Sequence, residues 1–289
     1  MAQTIACANQ KGGVGKTTTV VNLAAYLAIA GERVLIVDLD PQGNATSGFG
    51  IDRASLDVTL YDVLVGDTAI SATILPTVIS NCSIAPASVA LAGAEVELAG
   101  ADQRERRVTR VLAPVLDQYD YILLDCPPSL GLLTVNALTA ADSVLIPTQC
   151  EYYALEGLSQ LTATLNLVRD NLNPPLAIKG VVLTMYDART NLSADVAAEV
   201  RNHLGEAVFD TIIPRSVRLS EAPSFGLPIA LYRDNSRGAI AYAALAAELR
   251  RRDGHTPISA TDVPGNDGTA LAVSAGSTSS RTFAVGGVR

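Results

Sequence analysis

Two hydrophobic patterns alternate along most of the chain. Short, almost wholly apolar runs give way to longer stretches in which apolar positions recur at helical spacing. Thr4–Ala8, Arg33–Asp38, Tyr121–Asp125, Ser143–Pro147 and Ile178–Met185 are of the first kind and read as strands. Helical spacing covers about Lys16–Ala30, Leu132–Thr139, Leu155–Asn171, Leu192–Leu204 and Gly238–Arg252. Gly31, free to adopt positive φ, closes the first helix. Strands that alternate with helices predict parallel crossovers, and so an α/β fold with a doubly wound, mostly parallel sheet. Residues 253–289 break both patterns. They are rich in Gly, Ser, Thr, Ala and Pro and have no period. Such a segment buries too little apolar surface to offset the entropy of ordering. The prediction is a folded domain over 1–252 and a disordered tail over 253–289, with no internal repeat.

Composition narrows this. The chain is 48% hydrophobic but only 4% aromatic, with no Trp, so Ala, Val, Leu and Ile carry the core. A net charge of −8 excludes coating of nucleic acid through bulk charge. Any such contact must come from a local basic patch. The cysteines Cys7, Cys82, Cys126 and Cys150 form no C-x-x-C pair, and His203 and His255 lie far apart. Neither a zinc site nor a disulfide framework is expected. There is no charged leader ahead of an apolar stretch, and no apolar run approaches the ~18 residues of a membrane span. A soluble, cytoplasmic protein is expected.

Between the first strand and the first helix lies Gln10-Lys11-Gly12-Gly13-Val14-Gly15-Lys16-Thr17-Thr18. The glycines let backbone N–H groups turn toward an anion without a Cβ in the way. The helix that follows points its positive end at the same place. A cradle for ATP is expected to run from Lys11 through Gly12, Gly13, Val14, Gly15, Lys16 and Thr17 to Thr18. Within it, Lys16 would contact the β- and γ-phosphates, and the Thr17 hydroxyl would ligate Mg²⁺.

Acidic residues stand at the matching strand ends. Asp38 and Asp40 close the second strand, and Asp125 closes Tyr121–Asp125. Open α/β sheets bind ligands at these C-terminal edges. A carboxylate delivered beside a phosphate loop by an apolar strand is the Walker-B arrangement, and Asp125 would hold Mg²⁺ through water. Asp38 stands at the same metal site, or only hydrogen-bonds the loop or the metal's waters; the residues leave both open.

The loop departs from the usual phosphate-loop pattern. Gln10 replaces its first glycine, and a second lysine, Lys11, stands inside it. Asn9–Thr19 resembles the deviant Walker A loop of the ParA/MinD family of P-loop NTPases, most of all its chromosomal ParA (Soj) branch. Asp40–Thr46, Cys150–Gly157, Thr184–Thr190 and Ile213–Pro223 resemble that branch too, and the likeness runs from about Thr4 to Arg250. It implies an ATPase whose Lys11 crosses a dimer interface to the partner's nucleotide. From the residues alone, a lysine solvated on the loop surface is the alternative. The resemblance further implies that Asp40 positions or activates the attacking water, and that Pro214 and Ser216 contact adenine. Arg189 and Arg218 match the family's DNA contacts. The implied cycle has an ATP-bound homodimer that binds DNA without sequence preference. A ParB/Spo0J-type partner then stimulates hydrolysis and releases it, which segregates chromosome origins. The protein would be nucleoid-associated, with no membrane partner.

Local charge agrees with a DNA face, since residues 180–252 hold nine arginines against eight acidic residues, far less acidic than the whole. A MinD-like membrane ATPase would end in a basic amphipathic helix; here a polar tail follows the last helix, and Phe283 and its neighbours make no amphipathic repeat. A cluster-carrying relative would need paired cysteines, and an operator-binding one an N-terminal helix-turn-helix ahead of the first strand. Positioning of another cargo by the same machinery stays open.

Overall fold

The computed structural model describes residues 2–255. The chain runs β1 (Gln3–Cys7), α1 (Lys16–Ile29), β2 (Val34–Asp38), α2 (Asn44–Gly48), α3 (Leu60–Val65), β3 (Leu75–Pro76) and β4 (Cys82–Ala85). It continues with α4 (Leu91–Glu97), α5 (Arg107–Leu112), β5 (Tyr121–Asp125), α6 (Leu132–Ala140), β6 (Ser143–Gln149) and α7 (Ala154–Asn171). The last elements are β7 (Ala177–Tyr186), α8 (Asn191–Leu204), β8 (Val208–Pro214), α9 (Val217–Glu221), α10 (Ile229–Tyr232) and α11 (Arg237–Arg252). The eight strands form one sheet in the order β3-β4-β2-β5-β1-β6-β7-β8, parallel throughout except for β3. The expected doubly wound α/β sheet is therefore present.

Side chains alternate between two cores because successive residues of a strand face opposite sides. In β2, Val34 and Ile36 enter the core that includes α1 and α11, while Leu35 and Val37 enter the core on the other face. Tyr121 and Leu123 of β5 divide from Ile122 and Leu124 in the same way. Both faces are covered, which is why these strands read as unbroken apolar runs. All four cysteines are buried free thiols.

β4 and β8 were not among the strands expected from periodicity. Ser83 interrupts the four residues of β4, and Asp210 and Thr211 interrupt β8. β8 is an edge strand. The Glu248 carboxylate accepts from the N–H groups of Asp210 and Thr211, each at 2.9 Å. Arg252 donates to the carbonyl of Val208, and Arg201 to those of Phe209 and Asp210. These side chains satisfy the backbone of β8 where its pairing with β7 is irregular, between the partners Val208 and Ile212.

The tail expected over 253–289 lies, from residue 256 onward, outside the described residues. Its first residues are folded. Asp253 accepts from the Tyr121 hydroxyl at 2.9 Å and pairs with Lys179, and His255 meets Glu32 at 3.1 Å.

Candidate functional site

The C-terminal edge of the sheet gathers the loops that follow β1, β2, β5, β6, β7 and β8. The loop after β1 holds its shape through residues that the motif itself supplies. Gly13 (φ 74°) and Gly15 (φ 89°) occupy the left-handed region, where a side chain would be strained. Asn9 donates to the Pro147 carbonyl at 2.8 Å and accepts from the Lys11 N–H at 3.0 Å, fixing the loop's first turn. Thr184 donates to the Val14 carbonyl at 2.8 Å and fixes its far side. Lys16 is 7% exposed, and its Nζ donates to the Lys11 carbonyl at 3.1 Å. Its ammonium therefore lies across the mouth of the loop. Lys11 points its own Nζ over the Tyr153 ring, 5.5 Å from the centroid.

The three aspartates converge beside this loop, since Asp38 and Asp125 are register partners on adjacent strands. They are held differently. The Oδ2 of Asp38 accepts from the N–H of Thr46 at 2.8 Å and from its hydroxyl at 2.6 Å, and its Oδ1 from the Asp40 N–H at 3.3 Å. Both oxygens are thus taken by donors of the following loop. Burial pushes its pKa up to about 6, against these hydrogen bonds, which favour the charged form. Asp40 accepts from the Gln42 N–H at 2.9 Å through Oδ1.

Asp125 is fully buried, and neither of its oxygens has a hydrogen-bond partner. Burial holds its pKa well above the usual range, and the charge of Asp38 adds to this. The Thr17 hydroxyl and the charge of Lys16 pull the other way. An unpartnered buried carboxylate is costly. A magnesium ion that keeps several of its waters would supply the missing donors, so this residue and Thr17 fit the metal of a nucleotide.

A cleft of about 550 Å³ opens from the loop. Gly15, Thr18, Thr184, Met185, Pro214 and Ser216 are in its wall, so the two expected adenine-site residues face the same space as the phosphate loop. Met185 has φ 51°, at an irregularity in the pairing of β7 with β8. Thr184 and Met185 open one of the stretches that carry the resemblance, but the sequence reading assigns them no place in the nucleotide site. Their signal is the polar Thr184 at the end of an apolar strand.

Arg189 and Arg218 lie outside this cluster, beyond the ends of the neighbouring strands β7 and β8. Arg189 forms a two-pronged pair with Asp187 at 2.9 and 2.7 Å, with its side chain 85% exposed. It holds the Asp187 carboxyl below the usual carboxylate range. Arg218 pairs with Glu221 at 2.6 Å, and the Tyr232 hydroxyl donates to the same carboxylate at 3.0 Å. Arg215 and Arg233 are close enough to act on Asp187 and Glu221 in turn.

A lysine-bearing glycine loop opening a helix, with strand-end aspartates beside it, defines a P-loop ATPase with a deviant Walker A loop. A family model described as an AAA domain matches residues 2–178. The sporulation initiation inhibitor protein Soj of Bacillus subtilis is 58% identical over 86% of this chain and 98% of its own. The chromosome partitioning protein ParA of Myxococcus xanthus is 56% identical over 86% and 88%. Among solved structures, cobyrinic acid a,c-diamide synthase from Mycobacterium smegmatis with bound ADP and magnesium superposes with a TM-score of 0.77 at 40% identity. That match covers 89% of this chain and 98% of the other. The chain belongs to the ParA/Soj family of chromosome-partitioning ATPases. It is an ATPase, and its cofactors are ATP and Mg²⁺.

Proposed function

We propose that this chain partitions DNA through an ATP-controlled dimer. The ATP-bound dimer binds DNA without sequence preference, and a ParB/Spo0J-type partner triggers the hydrolysis that releases it, so that replicated origins move apart. The observation that carries the reading is the 56% identity to a chromosome partitioning protein over 88% of that protein's length. The 40% identity to the diamide synthase is well below this.

Each residue has a part in the proposal. The N–H groups of Lys11 to Thr18 and the Lys16 ammonium hold the phosphates. Thr17 and, through water, Asp125 would hold Mg²⁺, which would supply charge to neutralise the phosphate oxygens. Asp38 ties the following loop through Thr46, and Asp40 orients the attacking water. Pro214 and Ser216 flank the base. Lys11, whose Nζ only rests on an exposed ring, reaches the partner's nucleotide in the dimer and acts there as an arginine finger would. Arg189 and Arg218 contact DNA phosphates. Two copies of a modest patch double the phosphates engaged, which steepens the salt dependence and makes dimerisation the switch. No helix among the described residues is long and apolar enough to cross a membrane.

Co-sedimentation with DNA in ATP, in ADP and without nucleotide tests the reading. Retention only with ATP, and release by the N-terminal peptide of the partner, is the expected result. Equal retention in all three conditions would overturn it, and capture by anionic vesicles in place of DNA would point to a membrane-positioning ATPase.

A further inference from the structure

We propose that Arg53 is a positioning residue for ATP hydrolysis, locking the turn that carries Asp40. The proposal rests on the reading of Asp40 as the residue that orients the attacking water.

The turn is short and held at each end. Asp40 accepts from the Gln42 N–H through its side chain and from the Gly43 N–H, at 2.8 Å, through its carbonyl. The peptide between Gln42 and Gly43 therefore has its N–H fixed by Asp40. Its other end, the Gln42 carbonyl, accepts from Arg53 Nη1. Arg53 and Asp40 thus grip opposite ends of one peptide plane. That plane is the weak point of the turn. Gly43 has φ 62°, and a peptide next to glycine rotates with little steric resistance. Rotation would break the Gly43–Asp40 bond and release the backbone from which the Asp40 carboxylate projects.

Gly43 is also what admits the arginine. A Cβ there would stand 2.5 Å from Arg53 Cδ and 2.7 Å from Nη1, so the missing side chain makes the space in which the guanidinium lies. Arg53 itself is anchored. It opens a single 3-10 turn, Arg53–Ser55, capped by Asp52, which accepts from the Ala54 N–H at 3.0 Å through its side chain and from the Ser55 hydroxyl at 2.8 Å through its carbonyl. Among the described residues the Arg53 guanidinium makes no ion pair with a carboxylate. Its hydrogen bonding is spent on the turn.

Positioning of a reacting water is sensitive to displacements of about an ångström, which can cost as much as a hundredfold in rate. The test separates turnover from binding. Arg53→Ala is expected to lower kcat by about tenfold or more while the affinity for ATP changes by less than about twofold. Arg53→Lys keeps one donor and should recover part of the rate. Gly43→Ala evicts the guanidinium and also strains the backbone at φ 62°, so it should lose at least as much rate as Arg53→Ala. Wild-type kcat in Arg53→Ala, or a loss of rate matched by an equal loss of ATP affinity, would overturn the proposal. Should Arg53→Ala fail to fold, Arg53→Lys decides: full rate with unchanged affinity contradicts the lock, and an intermediate rate supports it. Asp40→Ala is measured beside them. Wild-type turnover in that variant would sink the Asp40 reading itself, whereas a loss there with none in Arg53→Ala sinks only the lock.

Discussion

The two ends of the sheet treat buried charge in opposite ways. At the N-terminal edge, carboxylates and cations are matched. Asp253 meets Lys179 and the Tyr121 hydroxyl, and Lys179 also donates to Gln3 at 2.7 Å. Glu32 meets Arg250 at 2.8 Å and His255 at 3.1 Å. At the C-terminal edge, Asp38 and Asp125 face each other with no cation bonded to either, and Asp125 has no donor. Buried ions without partners are expensive, and matched ones are costly to break. The first end is therefore a clasp that holds α11 to the sheet. The second is a site whose balance a metal and a nucleotide would restore from outside.

The comparison breaks most visibly at the clasp. Asp253→Ala takes the counter-ion from Lys179 and the acceptor from the Tyr121 hydroxyl, and is expected to cost about 3 kcal/mol of stability, with nucleotide affinity of the folded fraction unchanged. Denaturant titration beside nucleotide binding checks both. At the other end, Lys16→Ala removes a charge that would meet two phosphates. It should weaken ATP binding by about a hundredfold or more with little change in melting temperature; unchanged affinity would refute the phosphate-loop assignment. Lys11→Ala should keep ATP affinity within about threefold yet show no ATP-dependent dimer by light scattering. Smallest in stability is Arg189→Glu, whose exposed pair with Asp187 is worth little. It should leave the unfolding transition where it is in the wild type while reducing DNA retention and its salt slope. Retention equal to wild type would remove Arg189 from the DNA face.

Much of the nucleotide end is legible in the sequence because it is local. The loop's glycines, Lys16 and Thr17 are contiguous, and Tyr121–Asp125 is a strand with the bounds that its apolar run predicts. α1 ends at Ile29 with Gly31 at φ 92°, as its sequence indicates. What was not legible depends on contacts between separate segments. β8 is hidden because Asp210 and Thr211 break its apolar run, and their N–H groups are satisfied by Glu248 from the distant α11. The tie from Thr46 to Asp38 and the grip of Arg53 on Gln42 follow only once the loop after β2 has folded back on itself. The clasp is hidden for the same reason. Asp253 and His255 belong to a stretch whose composition reads as tail, and only their distant partners order them.

The most direct test of the contrast is thermal unfolding of the wild type and Asp125→Asn, with and without Mg-ATP, from about pH 5 to about pH 8. Asp125 has its pKa raised in the folded state, so the folded protein holds the proton longer than the unfolded chain. Its stability contribution is therefore lost as pH rises from the unfolded value near 4 toward the folded one. The amide carries no such term. Without nucleotide, Asp125→Asn should be more stable than wild type by about 1–3 kcal/mol, with the gap widening as pH rises. Mg-ATP should raise the melting temperature of the wild type and do little for the variant. A variant less stable than wild type at every pH, or one stabilised equally by Mg-ATP, would contradict the account.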